Sequence, residues 1–226
     1  MKKRNYQDYV IKDGKFIGDF EKCYQDFKDP WNHLKINNKP NLKLKIIKYF
    51  CDQIQKNKKK NIKILEIGCG FAHISNYLIK NNKFKCYGTD ISTTAIYKAQ
   101  KMFPKLKKNL YVNEFSNHQL YKKINPDIFL LSEIAWYVLP DIKKFLRYIK
   151  SNHENSYLIN CLTLYDRNIQ KYGNNYFSNN EELIKFFNLN VIVSNIIKKK
   201  GSNSSLSIFL AKLNNKRSKD HKNEIL

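Results

Sequence analysis

Arginine is nearly absent from this chain. Only four of its 42 basic residues are Arg (Arg4, Arg147, Arg167 and Arg217), so a net charge of +23 against 19 acids is almost entirely lysine. Arginine is the side chain that reads phosphates and guanine edges with two parallel hydrogen bonds. Its scarcity argues against a nucleic-acid enzyme, although the charge alone invites that reading. The lysines are scattered, with short runs only at Lys58-Lys59-Lys60 and Lys198-Lys199-Lys200. Together with abundant asparagine they read as a solvated surface written by an AT-rich coding sequence.

Cysteine is sparse and unpatterned. Cys23, Cys51, Cys69, Cys86 and Cys161 are odd in number and lack C-x-x-C spacing. That excludes a disulfide framework and a zinc site, and no metal is expected. Buried free thiols fit a cytosolic protein. No apolar run approaches the ~20 residues needed to span a bilayer. The first nine residues carry charges with no apolar stretch behind them, unlike a secretory leader. A cytoplasmic protein without membrane contact is the expectation. Hydrophobic residues make up 42% of 226, enough for one substantial core. We read one domain over 1–213, with 1–42 as an N-terminal lid segment and 214–226 as a frayed polar tail. The oligomeric state leaves no trace in the sequence.

What is present is an alternation of periods. Gly14 to Phe27 and Lys43 to Gln55 show helical spacing, broken between them at Asp29-Pro30-Trp31. Strand-like runs then follow at Ile62–Ile67, Lys85–Thr89, Leu110–Val112, Asp127–Leu131 and Ser156–Leu162. Helical patterns interleave with them at Ala72–Lys80, Thr93–Phe103, Pro140–Lys150 and Glu181–Phe187. Ser92 is placed to cap the second of these, and Pro140 suits the first turn of the third. Val191–Ile197 and Leu206–Leu213 close the chain as an antiparallel pair across a Lys/Gly/Ser/Asn loop. The fold class is therefore α/β: a Rossmann-like, seven-stranded, mostly parallel sheet with one antiparallel strand and helices on both faces.

One turn carries chemistry. The first parallel strand ends Leu65-Glu66-Ile67-Gly68-Cys69-Gly70, and Asp90 closes the next strand about 20 residues on. The glycines allow a tight turn and close approach to a ligand. Asp90 can accept from both hydroxyls of a ribose. Ala72 stands where a pyrophosphate-binding turn has its third glycine, and Glu66 would repel phosphate. The ligand suggested is a nucleoside with an amino-acid tail.

These residues resemble the first two motifs of the class I S-adenosylmethionine-dependent methyltransferases: Leu65-Glu66-Ile67-Gly68-Cys69-Gly70-Phe71-Ala72 and Tyr87-Gly88-Thr89-Asp90-Ile91-Ser92. The resemblance runs over Lys43 to Leu213. It implies S-adenosylmethionine as cofactor and S-adenosylhomocysteine as product. It implies further that Gly68, Cys69 and Gly70 line the methionine part, with Glu66 toward its ammonium. Asp90 would hold the ribose, Ile91 would pack on adenine, and Asn113, Glu114 or Phe115 would meet the adenine edge. Leu131-Ser132-Glu133-Ile134-Ala135-Trp136-Tyr137-Val138-Leu139 is similar to the segment that faces the transferred methyl in small-molecule members, including those like the nodulation N-methyltransferases. Phe20 to Trp31 resembles their N-terminal lid, which places Trp31 over the cofactor and Ser132 beside it. Neither the Asn/Asp-Pro-Pro-Tyr motif nor the Pro-Cys dipeptide of nucleic-acid methyltransferases is present.

The catalytic candidates are Glu133, as base or substrate-orienting group, and His33 as a second base. Substrate candidates are Trp136 and Tyr137, whose faces could wall a sulfonium, and Tyr165 and Arg167 from the loop after the fifth strand. The expected partner is a small-molecule acceptor. The preferred reading is O-methylation of a sugar, sugar phosphate or nucleotide precursor of a surface polysaccharide. N-methylation of an amine or amino sugar is the alternative, and a nucleic acid is the less favoured third.

Overall fold

The computed structural model describes residues 5–33, 41–80 and 82–214. The expected tail beyond Asn214 and the lid residues 34–40 lie outside them. The chain opens with α1 (Gln7–Val10), the two-residue strands β1 (Ile11–Lys12) and β2 (Lys15–Phe16), and α2 (Phe20–Asp26). This corrects the helix expected from Gly14. Asp13 and Gly14 both sit at positive φ, 51° and 75°, which makes them the two central residues of a hairpin turn rather than helix. The true helix starts where Asp19 accepts from the Lys22 amide as N-cap.

The remainder runs α3 (Leu42–Lys56), β3 (Ile62–Ile67), α4 (His73–Leu78), β4 (Phe84–Asp90), α5 (Thr93–Met102), β5 (Leu110–Val112), α6 (Gln119–Ile124), β6 (Ile128–Ser132), α7 (Leu139–Asn152), β7 (Tyr157–Tyr165), α8 (Asn180–Phe187), β8 (Asn190–Ile197) and β9 (Ser204–Lys212). Helix α6 was not foreseen, because it buries only Tyr121 and Ile124, a single pair that displays no period. Ser92 does cap α5, accepting from the Ala95 amide.

The sheet order is β5-β4-β3-β6-β7-β9-β8, with β9 antiparallel to both of its neighbours and the other strands parallel. The seven-stranded mostly parallel fold is therefore as expected. The central strands are apolar on both faces because helices cover both. Leu65, Phe129 and Leu131 pack with Phe145 and Ile149 of α7, while Ile64, Ile128 and Leu130 pack with Ile47, Phe50, Leu78 and Ile96 on the other side. Strand order reverses between β3 and β6, and the crevice this leaves at the strands' carboxyl ends is where ligands bind in such sheets.

Candidate active site

The glycine turn is fixed by contacts that only glycine permits. Gly68 and Gly70 lie at φ of 69° and 51°. A Cβ at Gly68 would come within 2.4 Å of Ile134 Cγ2, and one at Gly70 within 2.5 Å of the Tyr24 hydroxyl. Ala72, the residue replacing a third glycine, adopts the left-handed conformation itself at φ 56° and ψ 35°.

Two buried carboxylates flank this turn. Glu66 accepts from the Ser75 amide at 3.0 Å and its hydroxyl at 2.6 Å. Burial pushes it up to about 7, against the pull of the Ser75 bonds and the Lys43 charge. Asp90 accepts from the Gly70 amide at 2.8 Å and the Ser92 amide at 2.9 Å, and burial raises it to about 6. Asp90 thus joins the turn after β3 to the turn after β4. Each carboxylate retains lone pairs for a ligand.

The crevice between these turns and the N-terminal segment is a cavity of about 1130 Å³. Its wall includes Gly68, Gly70, Asp90, Ile91 and Trp31 among the expected cofactor residues. Asn113, Glu114 and Phe115 all line it as well, as do Ser132 and the catalytic candidates Glu133 and His33. Trp136, Tyr137 and Tyr165 complete the expected set.

Three expected residues stand elsewhere. Glu66 lies behind the turn, held by Ser75. Cys69 is buried with its sulfur against Gly88, where an added Cβ would lie 2.9 Å away, and only its backbone belongs to the turn. Arg167 does not reach the wall. Its guanidinium grips Glu182 through two bonds of 2.8 and 2.9 Å, and its Nε donates to Ser178. It staples the loop after β7 to the start of α8.

Glu133 is held in a defined place. Its backbone is left-handed at φ 61°, an unusual conformation for a side-chain-bearing residue. One oxygen accepts from the Thr163 amide at 2.8 Å, the other from its hydroxyl at 3.1 Å, and Lys43 Nζ lies 3.6 Å away. Trp136 is chiefly a core residue: its ring nitrogen donates to the Thr163 carbonyl at 2.9 Å and its ring packs on Phe177. Tyr137 meets Phe20 edge-on at 5.1 Å, and burial raises it to about 12. His33 sits edge-on to His73 at 5.3 Å, with its amide tied to Asp29. Burial lowers its imidazole to about 4, so it is neutral at physiological pH.

Lys43, Tyr6, Phe20 and Tyr24 belong to this site and were not picked out from the sequence. They come from α3 and the N-terminal segment, and the spacing of their types carries no chemical signature. Among the described residues no group of three His, Cys, Asp or Glu side chains could hold a metal ion, and no helix is long and apolar enough to cross a membrane.

Residues 65–151 match the methyltransferase domain family. Similar folds occur in a TehB-like SAM-dependent methyltransferase from Corynebacterium glutamicum, at 17% identity and a TM-score of 0.55, covering 84% of this chain and 97% of that one. They occur also in the bifunctional kinase-methyltransferase WbdD, at 12% identity and a TM-score of 0.57, covering 81% of this chain and 42% of that one. No curated protein sequence matches.

Proposed function

We propose that this enzyme, an S-adenosylmethionine-dependent methyltransferase, methylates a small unphosphorylated acceptor of sugar type at an amine nitrogen. The cofactor fits the residues present. Asp90 would take the ribose hydroxyls, the backbone at Gly68 and Gly70 the amino-acid part, and the wall at Ile91 and Asn113 to Phe115 the adenine, with Glu66 behind the turn and off the wall. When bound, S-adenosylmethionine supplies an electrophilic methyl group and leaves as S-adenosylhomocysteine.

The charge of the wall supports an acceptor without phosphate. Carboxylates at Asp8, Asp13, Glu133 and Asp141 share the cavity beyond the cofactor residues with Lys12, Lys43 and Lys171. Two of those lysines are paired, Lys12 with Asp8 and Lys43 with Glu133. With Arg167 committed to Glu182, no guanidinium among the described residues lines the cavity to meet an anion. This favours a neutral or cationic molecule over the phosphorylated precursors expected from sequence.

The observation that carries the nitrogen reading is the state of Glu133. A hydroxyl must shed its proton as it attacks, and that calls for a base of matched strength close by. The Thr163 amide and hydroxyl each take one lone pair of Glu133 and Lys43 stands beside them, which pins the carboxylate in place and leaves each oxygen one lone pair to accept from an acceptor's N–H. His33, at about 4, is too weak a base for the task. A neutral amine attacks through its own lone pair and needs no proton removed during the step; an acceptor that arrives protonated gives its proton to water before attack, and the methylated ammonium can leave still protonated. In this reading Glu133 orients the acceptor, while Tyr6, Tyr137 and Tyr165 present hydroxyls and ring faces around it.

The test is transfer of labelled methyl to amino sugars and to matched sugars bearing only hydroxyls, each with and without phosphate. Methylation of the unphosphorylated amino sugars at nitrogen is expected. Turnover confined to hydroxyl sugars would overturn the choice of atom, and preference for phosphorylated ones would overturn the argument from charge. Failure to bind S-adenosylhomocysteine would overturn the cofactor assignment.

A further inference from the structure

Helix α2 reaches both turns of the cofactor pocket. Glu21 extends across to the N-terminus of α5. Its Oε2 accepts from the Ser92 hydroxyl at 2.7 Å and the Thr94 amide at 3.1 Å, and its Oε1 accepts from the Thr94 hydroxyl at 2.5 Å. One turn later the Tyr24 hydroxyl occupies the space over Gly70 that a side chain there would need. Lys98 of α5 returns the contact by donating to the carbonyl of Tyr24.

Ser92 is the hinge of this arrangement. Its amide donates to Asp90, its hydroxyl donates to Glu21, and the same hydroxyl accepts from Ala95. A continuous hydrogen-bonded path therefore runs from the Gly70 amide through Asp90 and Ser92 to Glu21 in the N-terminal segment. Glu21 is a carboxylate at the positive end of a helix, where an anion is stabilised. Although burial opposes it, its bonds from Thr94, Ser92 and Gln25 hold it down at about 2, so it is ionised at every working pH.

We propose that Glu21 is a positioning residue for the cofactor: it fixes the Ser92 turn and thereby aims Asp90 at the ribose. This rests on the assignment of Asp90 as the ribose ligand. Glu21 does not itself line the cavity. It contributes by removing the freedom of the turn that the ligand would otherwise have to freeze. The N-terminal segment then acts on the cofactor through the Ser92 turn, in addition to the cover expected of Trp31.

S-adenosylhomocysteine is the probe, and its affinity and release rate are the readouts, with no acceptor required. Glu21→Gln keeps the shape of the side chain and loses the charge. It should weaken binding about tenfold, mainly through faster release. The decisive comparison is the same change in an Asp90→Asn background. If Glu21 acts through Asp90, the two effects are strongly non-additive, and Glu21→Gln there costs no more than about twofold. Full additivity, or unchanged affinity in the single variant, overturns the proposal. Thr94→Val removes one bond to Glu21 without altering α2, and it should shift release in the same direction by a smaller factor. No binding by the unaltered protein would instead condemn the cofactor assignment itself.

Discussion

At the scale of single residues, the site is governed by carboxylates kept out of water. Glu66 is the strongest case, fully enclosed and raised from 4.5 to about 7 by that burial. A carboxyl whose folded-state pKa is raised contributes stability that is fully present below its unfolded value. That contribution is lost as pH rises through the folded value. Between about pH 5 and pH 8 the ligand-free protein must therefore lose stability at this group. Glu66→Gln mimics the protonated acid and can still accept from Ser75. The variant should match the natural protein near pH 5 and exceed it near pH 8 by up to about 3 kcal/mol. Urea unfolding at the two pH values measures this, and parallel behaviour of the two proteins would refute it. The acid before the glycines and Asp90 after them were legible because each sits at a fixed offset from a strand end. The burial of their charges was not, because it depends on what covers them.

At the scale of elements, the periodic signals served well wherever an element was long. Helices α3, α5 and α7 and the central strands fall where apolar spacing puts them. Some short pieces escaped: α1, each strand of the β1–β2 hairpin and α6 bury at most two residues, too few for a period to be counted. The N-terminal piece misled for a further reason, since apolar residues on a hairpin and on the following helix can mimic one longer helical stripe. The contact between α2 and the glycine turn yields a test at this scale. Gly70→Ala should collide with the Tyr24 hydroxyl at 2.5 Å and weaken S-adenosylhomocysteine binding sharply. Adding Tyr24→Phe removes that oxygen and leaves the ring carbon at 3.6 Å, an ordinary contact. The double variant should recover a substantial part of the lost affinity by calorimetry, short of all of it because φ is 51° there. No recovery would show that the backbone angle, and not the packing of α2, demands glycine.

At the scale of the whole molecule, charge and site disagree in sign. The chain carries +23, yet among the described residues the cavity away from the cofactor residues presents four carboxylates and three lysines, two of the lysines paired. Lysine on the outside supplies a general attraction for polyanions that salt screens. Binding to an unrelated RNA should therefore be detectable at low ionic strength and lost by about 0.2 M salt. Saturating RNA should leave the affinity for S-adenosylhomocysteine unchanged in a filter or calorimetric assay. Methylation of the RNA, or salt-resistant binding to it, would revive the nucleic-acid reading.

The alternation of strands and helices from α3 onward, α6 apart, the glycine turn and the acids on either side of it were determined by the sequence alone. They are local patterns whose physical meaning holds wherever the chain goes next. Tertiary structure decided what the patterns could not reach. It brought Lys43 beside Glu133, turned Arg167 away to Glu182, and set Glu21 on the cap of α5. Each of those contacts joins residues between 15 and 90 positions apart. No local preference encodes such a meeting; it follows from which faces the sheet and its helices bury against one another.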